Sequence, residues 1–142
     1  MFKNILIPVD LAAESSWRLA LPAAVEQTRH GAGALIVMTV SDLNLDITET
    51  IMSDDFTRKY QEKLEQRLDK LVKQHVPEDI PVRQFVRNGR IYREVLEAAN
   101  DVNADLIVMA SHRPSMEDYL LGTNAAKVMR HAKCSVLVVR ER

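Results

Sequence analysis

Short apolar runs alternate with amphipathic stretches along the whole chain. The first run, NILIPVD at Asn4–Asp10, is apolar with no polar residue at alternate positions. A strand wetted on one face alternates, whereas an unbroken apolar run fits a strand buried on both faces, as in a parallel sheet. ALIVMTV at Ala34–Val40 and DLIVMAS at Asp105–Ser111 read the same way, as does SVLVVR at Ser135–Arg140. PVRQFVRN, ending at Asn88, is a weaker strand.

Helical spacing fills the intervals. Trp17, Leu21, Val25 and Thr28 share one face of ESSWRLALPAAVEQTRH. Pro22 lies inside that stretch, where a proline removes a backbone donor and clashes with the preceding turn, so this helix is expected to start late or kink. Gly31 and Gly33 are expected to end it. Residues 56–75 carry the clearest stripe: Phe56, Tyr60, Leu64, Leu68 and Leu71. Arg58–Glu62 and Asp69–Lys73 are placed for charge pairs on its wet side. Pro77 and Pro81 follow it, and Gly89 opens a turn. Ile91, Val95, Ala98, Ala99 and Val102 form a third helical face, and TNAAKVMRHA from Thr123 a fourth helix. The polar, acidic segment Ser41–Asp55 reads as a loop or irregular insertion.

Strands alternating with helices imply right-handed crossovers and a parallel sheet covered on both faces. The class is therefore α/β, in one domain spanning residues 1–142. The 142 residues, 46% hydrophobic and 27% charged, suit a single globular core. A net charge of −1 argues against a nucleic-acid binder working through bulk electrostatics. Cys134 stands alone, so no internal disulfide forms. No apolar run of about 18 residues is present, so no membrane insertion is expected. MFKNILIPVD is too briefly apolar for a signal peptide, which makes the cytoplasm the default location.

In such sheets ligands bind at the carboxyl ends of strands, near the point where strand order reverses. Two clusters of small and polar residues fall there: ASHR at Ala110–Arg113, after the fourth strand, and GTN at Gly122–Asn124, opening the fourth helix. A helix start leaves about four N–H groups without partners and carries roughly half a positive charge, which favours a phosphate. Thr123 adds a hydroxyl, Asn124 an amide, and Arg113 a guanidinium suited to bidentate phosphate contact. The plainer alternative is that Thr123 or Asn124 simply caps the helix. The known phosphate loops are missing: the four glycines form neither a Walker A motif nor a dinucleotide fingerprint. The four histidines show no metal-ligand spacing, and Ser111-His112 is not a nucleophile elbow. No catalytic residue and no metal site are assigned.

ILIPVD, NGRIYREVLEAA, DLIVMASHR and LLGTNAAKVMRHAKCSVLVV together resemble the universal stress protein family across nearly the whole chain. Residues 41–79 match in layout only. Nucleotide-binding members carry G-x-x-G, nine residues, then G-[ST]. Here Ala110 and Arg113 replace the two early glycines, and eight residues precede Gly122-Thr123. ASHRP with YLLG is similar to a short bacterial branch of F and G type that binds ATP. The resemblance implies strand order 3-2-1-4-5, a fold like the adenine nucleotide alpha hydrolases, and ATP as cofactor, with or without Mg2+. Carried over by position, Pro8, Val9 and Asp10 would face the nucleoside and Val40 the adenine edge. Met109 and Ala110 would line the ribose. Ser111, His112, Arg113, Gly122, Thr123 and Asn124 would surround the phosphates. Arg87, Asn88 and Gly89 lie near the same edge. For Asp10 the alternative is a cap of the first helix.

The resemblance further implies a homodimer paired through Ser135–Arg140. The expected role is a nucleotide-dependent regulatory switch in stress response, with at most slow hydrolysis or self-phosphorylation. An unidentified protein partner would read the switch at Ser41–Asp55 or at the dimer surface. The rivals are a nucleotide-free adaptor and a weak ATP-hydrolysing enzyme.

Overall fold

Strand β1 (Asn4–Pro8) lies at the centre of a five-stranded sheet. The computed structural model describes residues 1–41, 54–111 and 122–140. After β1 come α1 (Ala20–Gly31), β2 (Ala34–Ser41), α2 (Asp54–His75) and β3 (Val82–Asn88). Then follow α3 (Ile91–Asp101), β4 (Leu106–Ala110), α4 (Thr123–His131) and β5 (Ser135–Val139). The spatial order is β3-β2-β1-β4-β5, and each neighbouring pair is parallel. The order reverses between β1 and β4, as the family resemblance implied.

The unbroken apolar runs are explained by two separate cores. Ile5, Ile7, Leu35, Val37 and Val108 face one side, against Leu21 and Val25 of α1 and Leu68, Leu71 and Val72 of α2. Leu6, Ile36, Met38, Ile107 and Met109 face the other, against Val95, Ala98 and Ala99 of α3 and Ala125 and Val128 of α4. With both faces covered, neither residue parity along a central strand can be polar. Each fully buried aliphatic side chain contributes about 1.5–3 kcal/mol relative to exposure.

Helix α1 starts late. A 3-10 turn (Glu14–Ser16) precedes it, and Pro22 falls in its first turn, where a missing N–H costs nothing. Its end differs from expectation. Ala32, not a glycine, takes the left-handed position at φ 52°, and Gly33 N–H donates to Thr28 O. The flanking glycines serve spacing instead: a Cβ would sit 2.0 Å from Phe2 O at Gly31 and 2.4 Å from Lys3 O at Gly33.

Helix α2 buries Leu64, Leu68 and Leu71 as its stripe predicts, but Phe56 is 45% exposed. Lys73 pairs with Asp69 at 2.8 Å. Arg58 pairs with Asp55 rather than with Glu62, so only one of the two expected pairs forms. Lys73 hydrogen-bonds the Asp69 carboxylate and holds it below the usual carboxylate range, assisted by Gln84. The expected Ser41–Asp55 insertion is shorter at both ends, since Ser41 closes β2 and Asp54 opens α2. Its middle, 42–53, lies outside the described residues. Likewise β5 ends at Val139, one residue before the expected Arg140.

Candidate functional site

A cleft of about 410 Å3 opens at the carboxyl ends of β1, β2 and β4, beside the reversal of strand order. Parallel packing makes this location: all strands end on one side, and the chain leaves β1 and β4 toward opposite faces. Pro8, Val9, Asp10, Val40, Met109, Ala110, Ser111, Gly122, Thr123 and Asn124 all line it. His112 and Arg113 lie outside the described residues. Arg87, Asn88 and Gly89 do not line the cleft. Arg87 instead donates to Asp101 at 2.6 Å and stacks over Phe85.

The cleft has an apolar wall and a polar floor. Pro8, Val9, Val40, Ile91 and Met109 supply the apolar wall, and Val9 and Met109 are themselves core residues. Val9 is held on both backbone sides. Its N–H donates to Met38 O at 2.8 Å, and its carbonyl accepts from Thr39 Oγ1 at 2.8 Å. Asp10 therefore leaves the sheet from a fixed point. Its carboxylate accepts the Ala12 N–H at 2.9 Å, which closes a turn. Helix α1 begins ten residues further on, so Asp10 does not cap it.

Backbone hydrogen bonds join Ser111 to Gly122 and to β5. Ser111 N–H donates to Val139 O at 3.0 Å, and Ser111 O accepts the Gly122 N–H. The carboxyl end of β4 is thereby tied to both β5 and the start of α4. Gly122 is the cap residue of α4, at φ −61° and ψ 151°, and brings no side chain to satisfy the first turn. Neither Thr123 nor Asn124 occupies the cap position. Ala126 is the first residue of α4 whose N–H reaches a helical carbonyl, that of Gly122. The preceding amides belong to the residues lining the cleft, so the positive end of the helix faces it.

Further positive charge flanks this end. Lys127, one turn beyond Thr123, places its ammonium 4.6 Å from the Tyr92 ring, and Arg93 Nε donates to the Tyr92 hydroxyl at 3.2 Å. That hydrogen bond, with the nearby cations, holds the Tyr92 phenol below its ordinary range. Among the described residues no three His, Cys, Asp or Glu side chains are grouped to hold a metal.

The sequence reading missed Ala13, Ser15, Ser16, Ile91 and Ala125, which also line the cleft. Ser15 and Ser16 follow Asp10 within one 3-10 turn, and the late start of α1 was the available signal: it leaves that turn free to fold over the strand end. Ile91 and Ala125 are helix-start residues, and the apolar periodicity of Ile91 marked it as part of a helical face.

A family model described as the universal stress protein family matches residues 1–140. Universal stress protein G of Escherichia coli O157:H7 is 31% identical over 99% of this chain and 100% of its own length. The solved structure of hypothetical protein MJ0577 superposes with a TM-score of 0.83 at 24% identity, covering 100% of this chain and 98% of that one. A universal stress protein solved in complex with cAMP gives a TM-score of 0.65 at 21% identity, covering 99% and 98%. Sheet order, the full-length family match and the relative of equal span agree: the chain belongs to the universal stress protein family.

Proposed function

We propose that this protein binds ATP in the β1–β2–β4 cleft and acts as a nucleotide-dependent regulatory switch, not as an efficient enzyme. The observation that carries the reading is the cleft itself. Its volume of about 410 Å3 lies within the range of small-molecule sites, about 300–1,000 Å3. It joins an apolar slot to a helix start whose cap residue, Gly122, offers no side chain, matching a ligand with a flat apolar ring at one end and phosphates at the other. Val40, Ile91 and Met109 would flank the adenine, Asp10 would accept from the nucleoside, and the amides of Thr123 and Asn124 would receive phosphate oxygens. Gly122 keeps that approach open. The relative solved with cAMP supports an adenine nucleotide in this fold. Mg2+ would arrive with the phosphates.

In this reading the residues lining the cleft bind and orient the nucleotide, with at most slow hydrolysis or self-phosphorylation. A homodimer formed through β5 belongs to the same proposal. The strand is the outer edge of the sheet, with Val136, Leu137, Val138 and Val139 only half-buried, and an apolar edge invites pairing. A partner protein would read the occupied state in the cytoplasm.

Nucleotide extracted from the purified protein, separated by chromatography and identified by mass spectrometry, tests the reading. ATP at near one equivalent per chain supports it. An empty protein that also takes up no added ATP would favour the nucleotide-free adaptor. Rapid multiple-turnover phosphate release would favour the enzyme.

A further inference from the structure

We infer that Ser16 is a positioning residue: it locks the loop that aims Asp10 into the cleft and makes no contact of its own with the ligand. The inference rests on the proposed nucleotide site and adds a residue to it. Ser16 Oγ accepts the Asp10 N–H at 2.8 Å. The same oxygen lies 2.7 Å from Ala13 O and 3.1 Å from Asp10 O. A serine hydroxyl has one proton to donate. These two carbonyls share that proton, and the Asp10 amide occupies an acceptor site. Although Ser16 lines the cleft, its donor is already committed.

The rest of the loop turns on this side chain. Ala13 N–H donates to Asp10 O at 3.0 Å, Ser16 N–H to Ala13 O at 3.0 Å, and Ala12 N–H to the Asp10 carboxylate at 2.9 Å. Every bond in this set closes within residues 10–16, and three of them run through Ser16 Oγ. Without that oxygen the Asp10 amide loses its partner where the chain leaves the sheet, and the Asp10 and Ala13 carbonyls lose the donor that ties them together. The neighbouring Ser15 contrasts with it. Ser15 also lines the cleft, and among the described residues its hydroxyl makes no hydrogen bond. Ser15 is therefore the residue of the pair able to donate to a ligand.

The test compares Ser16→Thr with Ser16→Val, which differ by the hydroxyl at nearly constant shape. Two readouts are taken: ATP affinity by calorimetry, and exchange of the Ala12 amide by NMR. Ser16→Val should weaken ATP about tenfold, the effect of losing roughly one hydrogen bond's worth of order, while Ser16→Thr should bind like wild type. Ala12 exchange should accelerate in the valine variant only. In an Asp10→Ala background Ser16→Val should cost no further affinity, because the residue acts through Asp10. Equal affinities for the two variants, a valine penalty that survives Asp10→Ala, or unchanged Ala12 exchange would each overturn the inference. Failure of the wild type to bind any adenine nucleotide would instead sink the site reading. The exchange comparison would still decide the role of Ser16 in the loop.

Discussion

Replacing Gly33 by alanine separates two reasons for a glycine at that position. If Gly33 ended helix α1, alanine would cost little, because Ala32 already holds the left-handed conformation. The structure gives a different reason. An added Cβ would lie 2.4 Å from Lys3 O, 2.7 Å from Lys3 Cα and 2.8 Å from Lys3 C, all backbone atoms. Ordinary contact begins near 3.4 Å, so β1 would have to retreat by about 1 Å. It is not free to do so. Lys3 O accepts the Ala34 N–H at 2.8 Å, and Asp105 holds the Lys3 and Asn4 amides at 2.8 and 3.0 Å. Overpacking costs about 1–3 kcal/mol and the strained hydrogen bond about 1 kcal/mol. Reduced freedom of the unfolded chain returns about 0.4–1 kcal/mol. The net loss should be about 1–3.5 kcal/mol, a large share of the roughly 5–15 kcal/mol that holds a domain together. Urea unfolding should show a lower midpoint at unchanged slope. Ala32→Gly, by contrast, should be neutral or slightly stabilising. A Gly33→Ala protein within about 0.5 kcal/mol of wild type would refute the close-approach argument.

Further outcomes follow from the site and the surface. Asp10→Ala should weaken ATP by about 1–3 kcal/mol if its bond to the nucleoside is buried, measured by calorimetry, with Tm little changed. Gly122→Val should abolish tight ATP binding and leave the circular dichroism spectrum intact, because it fills the approach to the helix start; normal affinity in both variants would mean the site is misplaced. Burial pushes the Cys134 thiol above its ordinary range. It should therefore react with a disulfide reagent far more slowly at neutral pH than a free thiol does, speeding up only in more alkaline solution, and fast labelling at pH 7 would contradict this. A charge placed at Val138 should shift light-scattering mass from dimer to monomer, and a wild-type monomer would remove the proposed β5 pairing.

The parts of the fold legible in the sequence were those set by periodicity. An unbroken run such as NILIP needs apolar residues at both parities, and only a strand covered on both faces does. The α2 stripe and the lone Pro22 were equally direct. Exposed ends were not legible. Phe56 continues the stripe yet lies 45% exposed in the first turn of α2, and spacing alone does not say where a partner surface stops. Arg58 had two acidic neighbours in reach and took Asp55. The cleft was legible where it is made of strand ends and a helix start, because topology fixes those. The Ala13–Ser16 wall was not, since its position depends on how the chain folds back after Asp10, a matter of a few backbone and hydroxyl hydrogen bonds that leave no hydrophobic pattern.

The central claim is that the cleft between the β1, β2 and β4 ends and the start of α4 takes an adenine nucleotide. Titrating the labelled protein with ATP while following backbone amide resonances tests it most directly. Saturable shifts should concentrate at Val9–Asp10, Val40, Ala110–Ser111 and Gly122–Ala125. No shifts at millimolar ATP, or shifts centred on another face of the sheet, would contradict it.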